Sequence, residues 1–295
     1  MEVEIISEQN IKPDSPTPSH LRNYKLSGLD QLVPQFYVSL VFFYTDSQLG
    51  TGVPISDRIQ HLKQSLSETL TRFYHFTGKV KDHAGIDCND EGAYFAEARV
   101  NFCLPDIHRQ PDDKLIHRLV SSFESNTIDS ESGCYVVMIQ VNVFSCGSIA
   151  ISTSISHKLA DGHSYLIFLK GWMATYSGSS VLNPSFIALS LFQPNPSSIN
   201  ISPPLLSESQ SVTRRFVFDS LAISVLKIKA ASAALITRQP TRVEVVSALL
   251  WKCARSASRT RHGFQRPSFL LPMVNIRSKS SPPLPNNSKI GRAHV

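Results

Sequence analysis

The chain has 295 residues, 42% hydrophobic and 18% charged, with a formal net charge of +6. That length and apolar content allow one large domain or two and exclude disorder as the default state. No run of about twenty apolar residues occurs, so a membrane span is not expected, and the start MEVEIISEQNIKPDS has neither the basic head nor the apolar stretch of a secretion signal, which points to a cytoplasmic protein.

From the N-terminus, Val3–Ser7 is a strand candidate, a proline-containing loop follows, and LSGLDQL (26–32) leads to a β-rich run over Gln35–Tyr44. Ile59, Leu62, Leu66, Leu70 and Phe73 recur at helical spacing within Ser56–Tyr74, where Ser56 or Asp57 could cap the helix. Gly78–Val80 suggests a short strand, Asp87–Val100 a polar turn and a strand, and Lys114–Phe123 a second helix. Tyr135–Phe144 reads as a strand that turns at Ser145–Ser148 into a hairpin partner. In that partner Ile149, Ile151, Thr153, Ile155 and His157 share one parity and Ala150, Ser152, Ser154 and Ser156 the other, as in a strand with one buried face. Beyond Asp161 and Gly162, Tyr165, Leu169, Trp172, Met173 and Tyr176 mark a helix that Gly178 can stop.

The composition shifts to Pro, Ser and Asn over Asn183–Thr213, as in a crossover linker. After it, Arg214–Phe218 suggests a strand, Asp219 caps a helix to about Ala234, Val243–Ser258 gives a further helix, and Phe269–Val274 suggests a buried strand. Thr241 and Glu244 have capping-box spacing ahead of that further helix. The basic group Lys252, Arg255, Arg259, Arg261 and Arg266 lies near its C-terminal end, where cations are favoured, and no stacking aromatics interleave with it. A solvated helix end is therefore expected rather than a nucleic-acid site, although a mildly basic surface would suit a phosphorylated cofactor. The five cysteines, Cys88, Cys103, Cys134, Cys146 and Cys253, form no close zinc-type pair and read as reduced, buried packing residues, so no metal is expected.

The spacing His-x-x-x-Asp occurs at His83/Asp87, His108/Asp112 and His157/Asp161. His83 sits in a polar turn and His108 beside Pro111, so both read as solvated loop residues; only His157 has a strand before it and a glycine and helix after. Its imidazole could be a satisfied core histidine or a base that removes a proton from a hydroxyl or amine attacking an activated carbonyl. One such base suffices when the donor is a thioester. No Gly-x-Ser-x-Gly elbow, Walker loop or dinucleotide-binding glycine motif occurs, which disfavours a serine hydrolase, nucleotide hydrolysis and hydride transfer.

HKLADG (157–162), together with LSGLDQL, HLKQSLSETLTRFYHFTGKV, DCNDEGAYFAEARV, RRFVFDS and VNIRSKSSPPLP (274–285), resembles the BAHD acyltransferases of plants, with wording closest to the alkaloid acetyltransferases. The resemblance implies an α/β, chloramphenicol-acetyltransferase-like two-domain fold whose second domain is incomplete here. The implied boundaries are 1–190 for the N-terminal domain, 191–213 for the crossover, 214–289 for a partial C-terminal domain and 290–295, IGRAHV, for a non-native tail that reads as a translated sequencing adapter. It further implies transfer of an acyl group, acetyl foremost, from acyl-CoA to a hydroxyl or amine of a specialised metabolite in a ternary complex, without a permanently bound cofactor. The partners are then acyl-CoA and a small acceptor, with no nucleic acid or membrane, and a monomer is expected. His157 would be the base, in a channel between two domains. Asp161 would be a strut paired with Arg277 of the VNxR motif, which also holds Asn275, and Gly162 would allow close backbone approach at the turn. The family's DFGWG motif is absent, so a non-catalytic fragment or binding module is the alternative reading. A peptide-synthetase condensation domain shares the fold, but Ser156 stands where its HHxxxDG motif has the first histidine.

Overall fold

The computed structural model describes residues 2–31, 36–50, 52–80, 85–109, 113–121, 134–180, 183–194, 214, 216–233, 238–272, 274–281 and 283–289. Its contacts divide into two units, Met1–Ser207 with Val274–Val295, and Glu208–Met273. The segment 274–289, which the sequence grouped with a second domain, thus belongs by contact to the larger unit. The crossover over 191–213 and the tail at 290–295 lie largely or wholly outside the described residues.

The larger unit contains strands β1 (Val3–Ile11), β2 (Asn23–Lys25), β3 (Tyr37–Tyr44), β4 (Lys79–Val80), β5 (Gly85–Asp87), β6 (Ala93–Val100), β7 (Cys134–Tyr135), β8 (Val137–Phe144) and β9 (Ile149–Ser156). Its helices are α1 (Gly28–Gln31), α2 (Asp46–Leu49), α3 (Ile55–Arg72), α4 (Leu104–Arg109), α5 (Asp113–Arg118), α6 (Gly162–Tyr176) and α7 (Ala188–Leu191). One sheet runs β1-β6-β8-β9-β3 and a smaller one β2-β5-β4-β7. All pairs in the larger sheet are antiparallel except β6 with β8. The hairpin expected at Ser145–Ser148 forms, and Gly147 takes the left-handed backbone (φ 80°) that the turn requires.

Helix α3 places Ile59, Leu62, Leu66 and Leu70 in the core, as their spacing dictates, with Phe73 just beyond its end. Its N-cap is Pro54, with no side-chain cap bond, so neither Ser56 nor Asp57 caps it; proline's fixed φ supplies the start instead. Phe73 meets Phe168 edge-on at 5.3 Å, and Trp172 Nε1 donates to Leu62 O at 3.2 Å and to Ser65 Oγ at 3.1 Å, which fixes α6 on α3.

Strand β9 departs from the one-sided expectation, because every residue from Ile149 to Ser156 is buried. It lies between β8 and β3, and Ser152 and Ser154 of its second face find partners, whereas the buried Ser156 hydroxyl has none among the described residues. Ser152 Oγ donates to Gln140 O at 3.3 Å, Ser154 Oγ donates to Ser121 O at 3.3 Å, and Ser39 and Ser154 hydroxyls meet at 2.8 Å. Helix α4 was not anticipated, and it places His108 in a helix rather than a loop. Phe123, His83 and Asp112 lie outside the described residues. Of the cysteines, Cys88 is buried as expected, whereas Cys103, Cys134 and Cys146 are half-buried and Cys253 is exposed.

The smaller unit contains α8 (Ser220–Ala233) and α9 (Arg242–His262). Ala222 N donates to Asp219 Oδ1 at 2.7 Å, and Thr241 and Glu244 form the anticipated capping box. No strand forms at the described residues of 214–218 or 269–274; Phe216 and Phe269 are 70% and 89% exposed. A strand needs a neighbour to satisfy its backbone, and none is present among the described residues of this unit. An aromatic does interleave with the basic group: Arg255 lies over Trp251, 5.6 Å from the ring centre, one helical turn away. The contact is within the helix surface and leaves the solvated reading in place.

His75 is fully buried and ringed by Tyr24, Tyr74, Phe76 and Phe186, with centroid separations of 4.3–5.6 Å. Neither ring nitrogen has a hydrogen-bond partner among the described residues. Burial, and secondarily the Lys289 charge, hold its pKa well below 6.5. The unfolded chain therefore binds a proton at this position that the folded chain refuses. Its contribution is complete above about pH 6.5 and declines by up to about 1.4 kcal/mol per pH unit below it. Urea titrations between pH 7 and 5 should show a shallower loss of stability for His75→Phe than for the parent, and parallel curves would contradict this.

Candidate active site

His157 is the first residue after β9. Its backbone N–H donates to Phe36 O at 2.8 Å, and the Phe36 ring lies against the imidazole at a centroid distance of 4.9 Å. The ring is half-buried. Leu159 N donates to Ser156 O at 3.1 Å, so the chain turns at once after the strand and enters α6 with Asp161 as N-cap.

Asp161 and Arg277 meet as the resemblance implies. Arg277 Nη1 donates to Asp161 Oδ2 at 2.8 Å and Nη2 to Oδ1 at 2.9 Å, a bidentate pair across 116 residues of sequence. The guanidinium is fully buried. Its remaining N–H groups reach Ser288 O at 2.9 Å, Asn275 Oδ1 at 3.1 Å and Ser164 Oγ at 2.9 Å. Ser164 in turn gives both its backbone N–H (2.8 Å) and its hydroxyl (2.6 Å) to Asp161 Oδ1. Burial opposes ionisation of Asp161, but the hydrogen bonds from Arg277 and Ser164 outweigh it and hold the carboxyl below its ordinary range. A second tie runs from His163 Nε2 to Asn286 O at 2.9 Å.

Asn275 thus accepts from the guanidinium and also from Arg277 N at 3.2 Å. Gly162 does not meet its expectation. It has ordinary helical backbone, and a Cβ there would meet nothing within 4 Å, so it is a plain helix-start glycine. Ser164 was overlooked, although Asp-x-x-Ser at a helix start is a capping spacing that could have revealed it. Phe36 was overlooked too, and nothing local in the sequence marks a backbone carbonyl as a distant partner. Among the described residues no group of histidine, cysteine and carboxylate side chains could hold a metal ion.

A family model described as the Transferase family matches residues 1–294. The chain belongs to that family. It is 40% identical over 299 residues to limonoid 7-O-acetyltransferase of Citrus sinensis, covering 95% of this chain and 65% of that protein. It is 42% identical over 290 residues to akuammiline synthase 1 of Alstonia scholaris, covering 96% and 65%. The crystal structure of vinorine synthase superposes with a TM-score of 0.85 at 33% identity, over 99% of this chain and 69% of that one. TRI101 of F. sporotrichioides, solved with coenzyme A and T-2, matches at a TM-score of 0.58 and 15% identity, which shows the fold alone. The α/β fold is therefore that of vinorine synthase, and the chain spans about 65% of the length of the first two relatives named.

Removing one partner of a buried ion pair strands the other charge, at a cost of about 3–5 kcal/mol. Arg277→Met should lower the urea unfolding free energy by that order, and adding Asp161→Asn should recover part of it. Because Asp161 has a depressed pKa when folded, its contribution is present above about pH 4 and is lost as pH falls from there. Asp161→Asn should correspondingly flatten the acid limb of the stability curve.

Proposed function

We propose that the protein to which this chain belongs is an acyl-CoA-dependent acyltransferase with His157 as general base. The observation that carries the reading is His157 at a strand end, on a turn held by the Asp161–Arg277 pair. The relatives' names, acetyltransferases of limonoids and enzymes such as vinorine synthase, support acetyl as the acyl group and a specialised plant metabolite as acceptor. Coenzyme A bound in the distant fold neighbour is consistent with a thioester donor.

In this reading His157 accepts the proton of the acceptor hydroxyl or amine as its oxygen or nitrogen attacks the thioester carbonyl. The tetrahedral adduct then collapses, and the coenzyme A thiolate leaves, taking a proton. Both substrates are held in one ternary complex, which places the attacking atom beside the carbonyl without a covalent enzyme intermediate. Asp161, Arg277 and Asn275 position the turn and take no part in proton transfer, and no permanently bound cofactor is required. Turnover is assigned to the longer protein rather than to this chain alone, since the chain covers about 65% of its relatives. A cytoplasmic monomer without nucleic-acid or membrane partners completes the proposal. In its support, no helix among the described residues is long and apolar enough to cross a membrane.

The test is acyl transfer by the full-length protein with a panel of acyl-CoA donors and alkaloid or limonoid alcohols. His157→Ala should lower kcat by about 10²–10⁴-fold with an unchanged unfolding midpoint. Retained turnover in that variant would overturn the assignment of the base.

A further inference from the structure

The cysteines of this chain occupy sharply different surroundings. Cys88 is buried, and burial pushes its thiol up to about 12, so it is inert. Cys253 is exposed on α9. Cys103 and Cys146 differ from both, because they sit on neighbouring connections at one end of the large sheet. Val100 and Phe144 end the parallel pair β6–β8 in register, and Ser145 N donates to Val100 O at 3.1 Å. Phe102 meets Phe144 edge-on at 5.6 Å, and Cys146 packs in the same apolar cluster. The Cys103 sulfur lies 3.7 Å from Ser145 Oγ and the Cys146 sulfur 3.4 Å from Ser148 Oγ.

The Cys146 sulfur also hydrogen-bonds with the Cys103 side chain and with backbone at Leu104 and Ser148. Partial burial alone would raise its pKa, but the Ser148 hydroxyl and these further bonds bring it down to about 7. Both thiols are half-buried, so a small oxidant can reach them.

We propose that Cys103 and Cys146 are a redox-active pair, a modification site that closes to an intramolecular disulfide. With hydrogen peroxide as oxidant, the Cys146 thiolate attacks one peroxide oxygen, yielding Cys146 sulfenic acid and hydroxide, which is protonated to water. The Cys103 thiol then attacks the sulfenic sulfur, forming the S–S bond and releasing a second water. The two thiols together give up two electrons and two protons, and the peroxide is reduced to two waters. The bond would staple the exit of β6 to the β8–β9 turn. Closing so long a loop removes freedom from the unfolded chain, and the oxidised form should melt several degrees higher.

The experiment exposes the full-length protein to equimolar peroxide, alkylates it, and maps peptides without reduction. A linked Cys103–Cys146 peptide is expected, lighter by two hydrogens than the sum of its parts and lost on adding dithiothreitol. In Cys103→Ser, dimedone should trap the sulfenic acid at Cys146. Alkylation of Cys146 should rise with pH through about 7. Absence of the linked peptide, or pairing of Cys146 with another cysteine instead, would overturn the proposal.

Discussion

The structure around His157 depends on a single buried ion pair. A guanidinium has five N–H donors, and burying it is tolerable only if each finds an acceptor. Arg277 meets that condition, with two bonds to Asp161 and one each to Asn275, Ser164 and the carbonyl of Ser288. Ser164 is the relay, since its hydroxyl accepts from Arg277 and donates to Asp161. The pair therefore fixes three things at once: the turn after β9, the first turn of α6, and the segment 274–289. Among its described residues that segment has no strand or helix of its own, and the guanidinium organises it.

The elements legible in the sequence were those with local signals. The apolar repeat of α3, the β8–β9 hairpin, the Asp219 cap and the Thr241/Glu244 box all formed where the residues placed them. What was illegible depended on distant partners. Ser152 and Ser154 read as a solvated face because serine is usually exposed, yet each hydroxyl is taken up by backbone that arrives from β8 and from Ser121. The runs at 214–218 and 269–274 have strand-like composition but find no neighbour, and composition cannot supply one. The contact of Arg255 with Trp251 is different in kind, since it is local and rests on the four-residue spacing of the two side chains on one helix.

At the site the same division holds. The Asp161–Arg277 pairing came from resemblance to the BAHD acyltransferases, and no spacing argument could have joined residues so far apart. The position of His157 at the end of a strand, in contrast, followed from the local alternation, although both parities of that strand turned out to be buried. Parity decides which face a side chain occupies; it does not decide what covers that face. His75 shows the limit in another way. A histidine between Tyr74 and Phe76 looks like an interruption in an aromatic run, and only the packing reveals an imidazole kept neutral by its surroundings.

The roles of the two motif residues separate on hydrogen-bond capacity. A carboxylate that serves a catalytic histidine must offer it an oxygen. Asp161 Oδ1 already accepts from Ser164 N, Ser164 Oγ and Arg277 Nη2, and Oδ2 accepts from Arg277 Nη1. A carboxylate so occupied, and held ionised by those same bonds, has little to gain by turning toward another donor, and doing so would strand a buried guanidinium. In the proposed reaction Asp161 therefore serves the turn and the guanidinium rather than the imidazole. The Phe36 ring lies against the imidazole, and in that reading the motif's aspartate bears on the histidine through the turn it holds.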